Sequence, residues 1–149
     1  NVGEQITGYA HFRDSIVVPV CTPLRLRTAV ALALLSGFCE EYFFRGVLNP
    51  ECINLLGGHL GLFAGCFLFA FIHFGVVHRK NIYLIIVYII AAYYFSAIYI
   101  VTESLFAAAS CHAIYNFVVF RFIQSRYQAV HVAQSEELPP AEKLNQVSP

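Results

Sequence analysis

The chain has no methionine and no tryptophan, and only 12% of its 149 residues are Asp, Glu, Lys or Arg. An average soluble domain carries about 25% charged residues. So little charge, against 58% hydrophobic residues and a mean hydropathy of +0.65, argues against a soluble domain and for a membrane protein. The formal net charge is zero and basic residues form no run, which leaves nucleic acid without an electrostatic footprint. Five cysteines without a CxxC pair supply neither an even disulfide framework nor a zinc ribbon; they read as small buried thiols. The GxSxG elbow, the P-loop, the dinucleotide glycine pattern and HExxH are all missing. The start lacks the features of a signal peptide. With no methionine and Asn1 in first place, the expectation is a piece of a larger helical membrane protein.

Four apolar runs are present: A, Thr28 to Leu48; B, Gly58 to Val77; C, Ile82 to Val101; D, Ser104 to Ile123. Each approaches the ~20 residues that cross a bilayer as a helix. In lipid the backbone must satisfy itself, and the runs are about twice the length of a barrel strand, so helices are predicted despite the Ile and Tyr of run C. Asn49-Pro50 is expected to end run A, since proline lacks the N–H that continues a helix. The fold expected is all-α, a polytopic transmembrane bundle of about four spans. Residues 1–23 are expected to form an interfacial segment, 24–123 the membrane core and 124–149 a polar, solvated tail. Four spans place Arg13, Arg25, Arg27, Arg79, Lys80, Arg121, Arg126 and Lys143 on one side. By the positive-inside rule that side is cytoplasmic, with the N-terminus, the B–C loop and the C-terminus.

The remaining basic residue is Arg45, in the run A stretch GFCEEYFFRGV. A charge at the bilayer centre costs about 2.5–3.5 kcal/mol on insertion scales, so Glu40, Glu41 and Arg45 need partners. Glu41 and Arg45 are four apart and share a helix face. Glu40 lies about 100° round the helix and faces elsewhere. Run B offers His73; run D offers His112 and Asn116, four apart on one face. One carboxylate, two imidazoles and a carboxamide from three helices suit a held water: a base, a group to orient the water, and donors for an oxyanion. Each residue also has a purely structural reading, as a carbonyl-bonded histidine or a packing ion pair. Glu40, His73 and His112 have the types of a zinc site, without supporting spacing. Ser36 and Ser110 are weaker candidates for a nucleophile. His11, His59, His78 and His131 lie at run ends or outside the runs and read as interfacial.

Three motifs, EEYFFR (Glu40 to Arg45), FAFIH (Phe69 to His73) and HAIYN (His112 to Asn116), occur in order on three different runs. In this the chain resembles the CAAX protease and bacteriocin-processing family of intramembrane endopeptidases, whose motifs are EExxxR, FxxxH and HxxxN. The resemblance covers roughly residues 28–123. It implies a glutamate-dependent peptidase without a cofactor, acting on a membrane-anchored protein or peptide, lipidated for some members of the family. On it, Glu40 is the base, His73 its partner on the water, and His112 with Asn116 the oxyanion site. Glu41, Arg45 and Phe69 are supporting residues. Three alternatives stay open: a non-catalytic immunity or binding protein of the same fold, a zinc-dependent membrane protease, and a carrier with polar residues strung along a path. A peptidase requires Glu40 and His73 to meet, whereas upright helices with the bounds above leave them at different depths.

Overall fold

The computed structural model describes residues 17–76 and 82–137. Every element among them is helical: α1 Val18–Cys21, α2 Leu26–Phe43, a π-helical turn Phe44–Leu48, α3 Asn49–Leu56, α4 Gly58–Val76, α5 Ile82–Thr102 and α6 Leu105–Glu137. No strand is present among the described residues.

Asn49-Pro50 does not end the first long helix. The chain stays helical through the π turn, where the Asn49 N–H reaches back to the Phe44 carbonyl. Pro50 then falls in the first turn of α3, where a proline's missing N–H is tolerated. The stop comes at Gly57, with φ +84°, a conformation that glycine adopts without steric cost.

This one-residue turn folds α3 and the end of α2 back along α4 as an αα-hairpin. Its register follows from the turn. A Cβ on Gly61 would run into the Cys52 carbonyl and Ile53, and one on Gly65 into Asn49. Further along, the Arg45 guanidinium lies over the Phe69 ring, and Glu40 faces His73. Glycines at spacing four are what let two helices approach so closely.

A second close crossing joins α2 to α6, which run antiparallel. Ala29, Ala33, Gly37 and Glu41 form a buried stripe along α2. A Cβ on Gly37 would sit 2.7 Å from the Ala113 nitrogen. Because Glu41 continues a stripe of small residues, its carboxylate is carried into the helix interface. At the far end Gln124, buried on α6, donates to the Cys21 and Leu24 carbonyls and so ties α1 to α6. The polar segment expected from residue 124 thus starts as a continuation of helix, through Glu137.

Around the middle of the bundle polarity is distributed inside out. Glu41, Arg45 and His112 are buried, while Tyr42, Phe71, Ile90 and Ile114 lie on the surface. Two stretches, Ile85–Thr102 and Leu105–Gln128, are long and apolar enough to cross a membrane. Gly58–His73 is apolar but shorter, and α2 carries Arg27, Glu40 and Glu41 within its eighteen residues.

Candidate active site

Glu41 is fully buried and Arg45 nearly so. Their ion pair, Arg45 Nη1 to Glu41 Oε1, is 3.0 Å long, as i,i+4 spacing dictates. The same Glu41 oxygen lies 2.8 Å from His112 Nδ1. Since a carboxylate paired with arginine accepts, Nδ1 carries the hydrogen. Glu41 is therefore more than Arg45's partner: it fixes the ring orientation and tautomer of His112. Arg45 is held in turn by the Ala92 carbonyl of α5, 2.7 Å from Nη2, and by the faces of Phe69 and Phe95.

His73 is built in the same way. Its Nδ1 lies 2.7 Å from the Phe69 carbonyl; a carbonyl only accepts, so Nδ1 again carries the hydrogen. Its ring stacks on that of Phe69, centroids 4.2 Å apart.

With both Nδ1 atoms committed, both Nε2 atoms turn to one place. His73 Nε2 lies 3.3 Å and His112 Nε2 3.8 Å from Glu40 Oε2. That oxygen is buried and lacks a hydrogen-bond partner among the described residues. The residues around it are not sealed: Glu40 is 28% and His73 27% exposed, against 5% for His112. The difference in depth that upright helices imply is absent, because the first helix extends past Pro50. Glu40 and His73 then stand seventeen and sixteen residues from the Gly57 turn, at matching heights on the hairpin.

Asn116 sits one turn along α6 from His112, and its Nδ2 donates to Ser36 Oγ at 2.8 Å. Ser36 also lies 3.3 Å from the Ala33 carbonyl, so its hydroxyl serves as Asn116's holder. Ser110 lines an apolar groove of about 340 Å³ between α2 and α6, with Ala33 and Ala113. Among the described residues, no group of three His, Cys, Asp or Glu side chains is arranged to hold a metal ion. His59 is exposed at the start of α4; His11 and His78 lie outside the described residues.

The sequence reading missed the contribution of run C. Ala92 and Ser96 on α5 are buried. Ser96 accepts from Asn49 Nδ2 at 3.1 Å and donates to the Ala92 carbonyl at 2.8 Å. The signal available was the period: Tyr88, Ala92, Phe95 and Ser96 share one face of a helix.

A family model described as type II CAAX prenyl endopeptidase Rce1-like matches residues 22–118. The match spans α2 to α6 and takes in all three motifs, and the chain belongs to this family. The family implies a peptidase, and with the two long apolar helices it points to a membrane protein. No curated protein and no solved structure gives a significant match.

Proposed function

We propose that the chain is an intramembrane endopeptidase of glutamic type, which hydrolyses a peptide bond of a membrane-anchored, prenylated protein or peptide with a water activated by Glu40. The observation that carries this is the meeting of Glu40 Oε2 with the Nε2 atoms of His73 and His112. With neutral imidazoles, Glu40, Glu41 and Arg45 sum to one negative charge.

Water beside Glu40 and His73 gives a proton to the carboxylate as its oxygen attacks the scissile carbonyl. The developing oxyanion is met by protonated His112 Nε2, whose charge Glu41 balances from behind, and by the second N–H of the Asn116 amide. The proton on Glu40 then passes to the leaving amine as the C–N bond breaks. Preorganised donors of this kind are worth about 10²–10³ in rate each. The residues outside this cluster fit a bilayer: four long helices, apolar outwards, with the N-terminus, the α4–α5 connection and the C-terminus on the cytoplasmic side.

The test is cleavage of a prenylated peptide with a C-terminal CAAX sequence by purified protein in lipid nanodiscs. Wild type should release the last three residues. Glu40→Gln, which removes basicity and little else, should lower kcat at least about 10²-fold without changing the folded yield. Full activity in Glu40→Gln overturns the assignment. A wild type that binds the peptide and never cleaves it favours a non-catalytic binding protein.

A further inference from the structure

The α5 helix, which adds no carboxylate, imidazole or guanidinium to the cluster, touches three of its side chains: His112, His73 and Arg45. The imidazole of His112 lies nearly parallel to the ring of Phe95, centroids 4.4 Å apart and planes 11° apart. The imidazole of His73, already stacked on Phe69, meets the ring of Tyr88 at 5.0 Å and 31°. Between Tyr88 and Phe95 stands the Ala92 carbonyl, which holds Arg45. Phe95 also lies under the Arg45 guanidinium, at 5.7 Å. Phe95 is buried at 2% exposure and Ala92 at 0%.

A hydrogen bond at Nδ1 leaves an imidazole free to swing about that bond. Fixing Nε2 in space needs a second restraint on the ring plane, and a flat neighbour supplies it. We propose that α5 is the positioning wall of the site: Phe95 and Tyr88 set the ring planes of His112 and His73, so that both Nε2 atoms point at Glu40. In this role both act through the histidines they stack on. The seven-residue spacing of Tyr88 and Phe95 on one helix thereby sets the distance between the two imidazoles. The inference rests on the peptidase reading for its kinetic arm alone.

The experiment uses the full chain with ¹⁵N-labelled histidine rings, assigned with His73→Gln and His112→Gln, in detergent micelles. Phe95→Leu should shift and broaden the His112 Nε2 resonance and leave His73 unmoved; Tyr88→Leu should do the reverse. Ile90→Ala, on the exposed face of the same helix, should move neither. On the prenylated CAAX peptide, Phe95→Leu should lower kcat about 10–100-fold, the scale of an ångström's misplacement, with KM within about twofold; Phe95→Tyr, which restores a ring, should recover most of it. If Phe95→Leu does not yield folded protein, Phe95→Met takes its place under the same criteria. Histidine spectra unchanged in both ring-removing variants overturn the positioning wall, whatever the activity. Absence of cleavage by wild type, with the spectra moving as stated, overturns the peptidase reading and leaves the wall standing.

Discussion

Two adjacent glutamates meet different fates because 100° of helix separates them. Glu41 continues the small-residue stripe of α2 and is buried between Arg45 and His112; Glu40 looks sideways to His73. Glu41→Gln should therefore damage the protein in two ways. Arg45 loses its buried counter-charge, and breaking such a pair costs about 3–5 kcal/mol. His112 also loses the acceptor that sets its tautomer. The expected outcome is a smaller monodisperse peak on size exclusion and a further loss of kcat per folded molecule. Glu40→Gln should show only a loss of kcat. Equal folded yield of Glu41→Gln and wild type would show that the buried pair is dispensable.

Among the elements, the two close helix crossings decide whether the site exists. Gly37 lets α2 touch the Ala113 backbone, one residue from His112. Gly37→Ala puts a methyl where backbone already stands. Overpacking of this kind costs about 1–3 kcal/mol, and the helices must part to relieve it. Lowered thermal stability and activity are expected together. Gly46→Ala, where a new Cβ meets only ordinary contacts with Leu105 and Tyr42, should be near neutral. A Gly37→Ala protein as stable and active as wild type would remove this crossing from the account.

The motifs, the helical class and the polar set were legible at this scale, since periodicity and charge cost act locally. The continuation past Pro50 was not. A proline reads as a stop unless a widened turn absorbs it, and the π turn is visible only in three dimensions. The share of α5 was hidden for another reason: a backbone carbonyl and two aromatic faces carry no charge or motif to mark them.

The molecule as a whole presents apolar side chains outwards on α2, α4, α5 and α6 and buries the Glu41–Arg45 pair, while Arg25, Arg27, Glu51, Glu103, Arg121 and Arg126 are exposed. The proposed four-span topology would put the α4–α5 connection inside the cell and the α5–α6 connection outside. In a background without native cysteine, Glu103→Cys should react with a membrane-impermeant thiol reagent on intact cells, and Lys80→Cys only after permeabilisation. The opposite pattern would invert the topology and the side from which substrate arrives. The site's donor set yields a second test at this scale. A hydrolase working through Glu40 and two imidazoles alone should keep its activity through exhaustive dialysis against a chelator. Loss that zinc restores would make Glu40, His73 and His112 metal ligands instead.

The sequence by itself determined the membrane class, the helical architecture and which side chains would be too costly to leave unpartnered in lipid. Those conclusions rest on composition and on the cost of burying charge, both local properties. Only the tertiary structure decided who partners whom. It brought Glu40 to His73 through a hairpin register set at Gly57, gave Glu41 to His112 through the Gly37 crossing, held Asn116 on Ser36, and stood α5 behind both imidazoles. Pairings between residues fifteen to eighty positions apart depend on where helices turn and how closely they cross. That geometry is set by backbone contacts at glycines, which residue types and spacings within a single helix do not record.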